Sequence, residues 1–383
     1  MTSEQSALFD PGFEPAREIA DDPVGAIALY AVPGVGSARY RALLKAFGSP
    51  SEVFKAGAEA LSKVPGLDSK TAAAIAGFQM DGSAEKMLAK LRSCQARIIS
   101  IWDETYPERL KQIHDPPALL FLRGELPAQD EICIAIVGTR TPSEYGLQQA
   151  FRIAEGLAQQ GVSTVSGMAR GVDSAAHKGC LEGGGKTYAV FGCGIDVIYP
   201  RENKSLAAKI ETSGGLISEF LPGMEPDRGL FPRRNRVISG LCEGVLVVEG
   251  GEKSGALITA RCALEQNREV FALPGSVDQK VSSGPHQLIR QGATLAVSAQ
   301  DILDGIGVQF NAKQVLSKTR SLPTLNSSEE ELIKKLSTDP IHIDHLVRDL
   351  GKPVSSVLAD LLSLEMKGWV MQLPGKLFAF RRP

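Results

Sequence analysis

The stretch FPRRNRVISGL, Phe231 to Leu241, sets Arg233, Arg234 and Arg236 within one turn's length of each other, just before the apolar run GVLVVE. Guanidinium groups fork onto phosphate oxygens, and glycine lets backbone N–H groups approach a ligand closely. Both residue types recur behind other apolar runs. GTRTPS carries Gly138, Thr139, Arg140 and Ser143, and SGMARGVDSAAH carries Ser166, Gly167, Arg170, Asp173 and His177. GCGIDVIYPREN carries Gly192, Asp196, Tyr199, Arg201 and Asn203, and EGGEKSGALITA carries Glu249 and Lys253. Any one of these arginines alone reads as a surface charge. Arg140, Arg170, Arg201, Arg233, Arg234 and Arg236 arriving at one rim read as a phosphate-binding edge, with Phe231 beside them for stacking. About a third of the six are expected in ion pairs with Asp173, Glu219 or Glu249.

These residues need a common scaffold. ICIAIVG, VSTVSG, TYAVFG, GLISEF, GVLVVE and REVFALPG are apolar runs without polar alternation. Between them lie helical segments such as YGLQQAFRIAEGLAQQG, NKSLAAKIETSG and GALITARCALEQN. Such strands, separated by helices, predict a parallel sheet covered on both faces. The fold class is α/β, with a doubly wound Rossmann-like domain over residues 81–306. Ligands of these sheets bind beyond the carboxyl ends of the strands, where the Gly- and Arg-bearing segments fall.

The flanks read differently. In residues 23–80, AVPGVGSARYRALLKAFGS is echoed by SKVPGLDSKTAAAI. This is the pattern of a small helical, SAM/helix-hairpin-helix-like domain, whose Gly turns either hold a DNA phosphate or simply make tight corners. Residues 307–327 collect Lys, Ser, Pro and Asn and read as a linker. Residues 328–383 outline a winged helix, three helices and a hairpin turning at Pro374-Gly375. Its would-be recognition helix, PVSSVLADLLSLEMKG, has Asp360, Glu365 and a single base, Lys367, which predicts a protein-docking or autoregulatory module rather than base readout. Residues 1–22 are acidic, without a cationic start or an apolar stretch, and read as a disordered leader rather than a signal peptide.

Composition narrows the function. With 42 Lys+Arg against 44 Asp+Glu, a net charge of −2, basic character must be focused in a patch. No apolar run approaches the roughly 18–20 residues of a membrane span. Six scattered cysteines without a CxxC pair fit a reducing, cytoplasmic setting. The five histidines form no metal set, so neither metal nor cofactor is expected. A dinucleotide site is excluded because ICIAIVGTRTPSEYG lacks GxGxxG, and GGGKT leads into a strand where a P-loop leads into a helix. Asp173, Asp196, Glu219, Glu249 and His177 show no spacing that pairs an acid with a base. A basic groove with an aromatic platform fits single-stranded nucleic acid better than a small nucleotide.

GTRTPSEYG, SGMARGVDSAAHKG, FGCGIDVIYPRENKSL, SEFLPG, FPRRNRVISGL, SGALITA and ALPG together resemble the DNA-processing protein A (DprA/Smf) family, in which they occur in this order. The resemblance implies a non-enzymatic protein of natural transformation that binds and protects incoming single-stranded DNA. It further implies a homodimer through the Rossmann domain and help in loading the RecA recombinase. By resemblance, phosphate contacts fall on Arg140, Arg201 and the run Arg233, Arg234, Arg236. The full expected DNA-binding set adds Gly138, Thr139, Ser143, Ser166, Gly167, Arg170, Asn203, Phe231 and Lys253. In SGPHQLIRQGA, His286 stands where the family usually carries asparagine. Two rival readings stand beside this one. EGGEKSGALITA resembles the Gly-rich turn of lysine-decarboxylase-like phosphoribohydrolases, which suggests a nucleotide-processing enzyme; the other rival is a protein-interaction scaffold.

Overall fold

Strands with no polar face must be covered on both sides, and in this chain they are. The computed structural model describes residue 19 and residues 21–307, 325–336, 340–373 and 375–380. Most of the expected leader and linker, and Pro374 of the expected hairpin turn, lie outside these residues. The chain divides into two compact units, one up to residue 310 and one from residue 311.

The first unit is built on nine strands: β1 (Arg97–Ser100), β2 (Leu119–Gly124), β3 (Cys133–Val137), β4 (Ser163–Ser166), β5 (Thr187–Val190), β6 (Gly215–Ser218), β7 (Gly244–Val247), β8 (Glu269–Ala272) and β9 (Thr294–Leu295). Their order is β1-β2-β6-β5-β4-β3-β7-β8-β9. Strands β3 to β9 pair in parallel; β1 and β2 add an antiparallel edge against β6. The chain runs outward from β3 to β6, then returns to β7 on the other side of β3. That reversal is a doubly wound switch point between β3 and β7. All six expected strands are present. The three the sequence reading did not contain are β1, β2 and β9, all in the outer part of the sheet.

The side-chain period of two sends alternate residues of β3 to opposite cores. Ala135 and Val137 join the layer that holds Val237, Ile238 and Ala260, while Ile134 and Ile136 pack with Ile153, Leu157 and Ala176. On the second face, helices Glu144–Gln159 and Val172–Glu182 touch backbone to backbone. A Cβ on Gly179 would lie 2.1 Å from the carbonyl oxygen of Phe151. No other residue fits there.

Five short helices between Pro23 and Ala76 form their own core around Leu29, Tyr40, Leu43, Leu61 and Ile75. Ile19, within the stretch read as a leader, is buried against it. Both VPG turns place glycine at positive φ, Gly34 at 91° and Gly66 at 80°. Arg39 joins the two turns, donating from Nη1 to the Gly34 carbonyl (3.0 Å) and from Nε to the Gly66 carbonyl (2.9 Å), and pairing with Asp68 at 2.6 Å. Asp68 in turn accepts the Thr71 N–H at 2.8 Å. A carboxylate therefore occupies the helix N-terminus that a phosphate contact at the second hairpin would use.

The second unit has helices Ser327–Ile333, Ile343–Leu350 and Val354–Met366, with β10 (Ile341–His342), β11 (Val370–Leu373) and β12 (Leu377–Phe380) in the order β10-β12-β11. Its core gathers Leu332, Leu346, Val357, Leu361 and Phe378. Glu329, with no exposed side-chain surface, accepts from Lys367 (2.7 Å) and Ser363 (2.6 Å), tying the first helix to the third. No helix among the described residues is long and apolar enough to cross a membrane.

Gly179→Ala must push the two helices apart, and overpacking of this kind costs about 1–3 kcal/mol. Urea unfolding should show that loss as a lower midpoint at unchanged slope; an unchanged midpoint would mean the helices are not in backbone contact.

Candidate functional site

At the switch point, the turn after β3 meets the turn after β7. Ser143 caps helix Glu144–Gln159 by accepting the Gly146 N–H, and Glu249 reaches across from the β7 side. The Glu249 carboxylate accepts the Ser143 N–H at 2.8 Å and the Ser143 hydroxyl at 2.5 Å, and its main-chain carbonyl accepts the Thr139 N–H at 2.7 Å. Gly146 makes room for it, since a Cβ there would lie 2.3 Å from Glu249 Oε2. Dinucleotide-binding sheets set a phosphate against the N-terminus of this first helix. Here the chain's own buried carboxylate fills that place.

The open pocket lies one step along the sheet, over the carboxyl ends of β3, β4 and β5. Its volume is about 60 Å³, and its lining includes Arg140, Gly167, Arg170, Gly192, Cys193, Tyr199, Phe231 and Arg234. Gly192 lets the Phe231 ring rest on backbone, where a Cβ would be 2.6 Å from the ring. The Arg140 guanidinium stands 5.0 Å from the Phe231 centroid, and Tyr199 lies 6.0 Å away on the same ring, 42% exposed. The rim is thus a cation, an aromatic ring and a second aromatic ring, all reachable from solvent.

Below them sits Arg234, only 5% exposed. Gly167 admits it, because a Cβ there would be 2.2 Å from Arg234 Nη1. Nη1 donates to the Val190 carbonyl, while Nε has no partner among the described residues. Burial lowers the Arg234 pKa to about 10; the charge of Asp173 opposes that shift and Arg140 adds to it. The group stays cationic at neutral pH. Asp173 is itself buried, which raises its pKa against the pull of Arg234 and of the Ala169 N–H at 3.2 Å. The pocket floor therefore carries a positive charge, partly balanced from beneath.

The structure disperses the remaining expected residues. The arginine run is helical, lying in Leu230–Gly240, with Pro232 tolerated in the first turn where N–H groups lack partners anyway. Successive residues of a helix point about 100° apart, so the three guanidiniums diverge. Arg233 is exposed, 5.6 Å from the Phe220 ring; Arg234 enters the pocket; Arg236 turns away to pair with Glu219 and, at 3.6 Å, with Asp115. The three arginines expected to contact phosphate thus have three different surroundings. Ser166 donates to the Ile136 carbonyl (2.6 Å), and Asn203 donates to Met168 O and Ser174 Oγ (both 2.9 Å), so both hold scaffold rather than face solvent. Gly138 is required for packing, with a Cβ falling 2.5 Å from Val172. Arg170 lines the pocket but pairs with Glu202, a partner outside the three expected. Arg201 and Lys253 are exposed and line no part of the pocket.

The possible acids and bases are also held elsewhere. His177 is fully buried, its Nδ1 2.7 Å from Thr187 Oγ1, and burial, reinforced by Arg234, pushes its pKa down to about 3. Asp196 accepts the Gly223 N–H at 2.7 Å, and Glu219 faces Arg236. The pocket lining contains no carboxylate and no imidazole. His286 contacts Gly275, its Nε2 3.1 Å from the carbonyl oxygen, so here the imidazole tethers the turn after β8. The expected set omitted Tyr199 and Gly192. Their signal was present in GCGIDVIYPREN, an aromatic residue in a Gly-rich turn behind a strand.

Residues 97–307 match the profile of the family described as DNA recombination-mediator protein A. Residues 317–376 match the DprA winged helix domain, and residues 27–76 a SAM-like helix-hairpin-helix tandem. The chain is 40% identical over 307 residues to Protein Smf of Escherichia coli (strain K12), covering 78% of this chain and 82% of the relative. It is 46% identical over 204 residues to the DNA processing protein DprA of Streptococcus pneumoniae (strain ATCC BAA-255 / R6), covering 53% and 72%. The X-ray structure of DprA from Streptococcus pneumoniae superposes with a TM-score of 0.63 at 33% identity, over 75% of this chain and 97% of that one. The whole nine-stranded sheet and the pocket on it fall within the matched span, and the chain belongs to the DNA recombination-mediator protein A family.

Proposed function

We propose that the pocket and its rim bind single-stranded DNA, and that the chain acts in natural transformation by protecting incoming strands and helping RecA load onto them. The observation that carries this reading is the Arg140–Phe231–Tyr199 rim above the buried Arg234. Only an unpaired base can lie flat on an exposed ring, and Arg140, Arg201 and Arg233 are exposed to take the phosphates on either side. Arg234, with a donor left over, serves as the cationic floor rather than as one more surface contact. A nucleotide-processing enzyme is less well supported: the usual phosphate place holds Glu249, and the pocket offers no acid or base. The name of the Streptococcus pneumoniae relative, DNA processing protein, and the family's description as a recombination mediator point the same way.

A homodimer through the α/β unit is supported by β9. Among the described residues this edge strand pairs only with β8, and Leu295 within it and Val297 just beyond it are 49% and 52% exposed. Free cysteines throughout the described chain suit a reducing cytoplasm.

Arg140→Ala should weaken binding to a labelled single-stranded oligonucleotide and flatten the salt dependence by about one unit of slope, with duplex bound more weakly throughout. Fluorescence anisotropy across a salt series checks this; unchanged affinity and slope would remove Arg140 from the site. Arg234→Met acts on stability as well, because it removes the donor on the Val190 carbonyl and the positive charge that opposes the burial of Asp173, so its melting temperature should fall. Thermal melting should separate the two variants, and a wild-type melting curve for Arg234→Met would show that neither the Val190 bond nor the charge beside Asp173 holds this region together. Val297→Lys should halve the mass seen by light scattering and slow RecA assembly on single strands if the β9 edge is the dimer contact; an unchanged dimer rejects that surface.

A further inference from the structure

The third helix of the C-terminal unit, Val354–Met366, buries Val357, Leu361 and Leu364 and leaves an opposite apolar ridge uncovered. Val354, Leu358, Leu362 and Met366 are 48%, 45%, 61% and 85% exposed. They account for four of the thirteen exposed large hydrophobic residues among the described part of the chain. Beside the ridge, the helix and the β11–β12 hairpin enclose a shallow groove of about 260 Å³ that includes Leu358, Leu362, Gln372 and Phe378. In a winged helix this is the element that enters the DNA major groove, and it reads bases through Arg, Lys, Asn or Gln. From 354 to 366 the helix has none of these. Three charged residues in or beside the helix are already engaged, Asp360 with Ser328, Lys352 with Glu331, and Lys367 with Glu329.

We infer that this ridge is a self-association surface, on which the same ridge of a second copy packs antiparallel, Leu358 of each chain against Leu362 of the other. Two features single out a second copy. The apolar positions are spaced evenly about residue 360, so the ridge has the same pattern read in either direction. A two-fold contact requires that self-complementarity. The helix ends are also electrostatically matched. Pro353 leaves the first turn without a capping side chain, and that turn has no acidic residue. At the other end, Glu365 is exposed, lines the groove and has no ion-pair partner among the described residues. Antiparallel pairing sets each Glu365 against the positive end of the opposite helix, twice by symmetry. A helix pair of this length buries less than the roughly 800 Å² per partner of a stable interface, so the contact is weak and reversible alone. Chains already held together elsewhere would gain it through effective concentration. The inference does not depend on the DNA pocket, which lies in the other unit.

Register-specific crosslinking of the full chain tests it. A Leu358→Cys chain and a Leu362→Cys chain are mixed at about 100 μM, where weak contacts populate, and mildly oxidised. The parent, with its own six cysteines, sets the background. The mixture should give several-fold more disulfide-linked dimer than either variant alone. Val354→Cys alone should give none above background, because its two copies would lie about 18 Å apart along the helix. Strong self-linking of Val354→Cys means a parallel arrangement and overturns the proposal. Equal or background yields throughout overturn it too, and leave the ridge for a different protein. In a Val297→Lys chain, where the α/β contact is removed, Leu362→Glu supplies a readout without cysteine, lowering the mass that remains concentration-dependent while leaving DNA affinity unchanged.

Discussion

The guanidinium of Arg234 lies beneath Gly167, buried, with one arm on the Val190 carbonyl and the Asp173 carboxylate as its counter-charge. An ion taken this far from water is tolerated only with partners, and the turns after the strands supply them. The turn after β4 bends at Gly167 to admit the group, and the helix that follows presents Asp173 from below. The turn after β5 stays thin at Gly192 so that Phe231, three residues before Arg234, can lie flat. Arg140 then stacks on that ring from the β3 side. The rim and the floor of the pocket are two consequences of one buried cation.

Glu249 explains why the pocket lies where it does. Doubly wound sheets usually bind at the switch point, where two turns diverge and leave a crevice. In this chain that crevice is closed by a carboxylate hydrogen-bonded to the main chain and hydroxyl of Ser143. A second anion there would meet a like charge with no water to screen it. The open pocket is displaced toward β4 and β5, where glycines expose backbone and the only full charges lining the pocket are cationic.

The flanking regions show a related economy of charge. In the N-terminal helices, Arg39 is held by Asp68 and by the carbonyls of both Gly turns, and Asp68 caps the second hairpin's helix, so that cation and that helix end are already engaged. In the C-terminal unit, Glu329, Lys367 and Ser363 close a network that fixes the third helix on the first. The outer face of that helix is left apolar. Cationic, stacking chemistry is concentrated on the α/β sheet, as a chain of near-zero net charge requires.

Much of this was legible in the residues alone. Near-continuous apolar runs between helical segments can only be a covered parallel sheet, so the six inner strands and the doubly wound class followed from hydrophobic period. The Gly- and Arg-bearing turns followed from position, since each comes directly after a strand. The outer strands were less visible: β9 has only two residues, and β1 and β2 pair antiparallel, outside the strand–helix alternation that marked the parallel strands. The three arginines marked the site, but their individual duties depended on the segment being helical, which rotates neighbouring side chains by about 100° and sends each to a different neighbour. Whether a polar residue such as Ser166, Asn203 or Glu249 faces a ligand or the scaffold depends on which partners the packed chain brings within hydrogen-bond reach. Residue types and their order determined the sheet, its glycine-lined edge and the chemistry available there. Only the tertiary structure decided which charges were consumed in holding that edge together and which were left free to act, because pairing depends on distances between residues far apart in sequence.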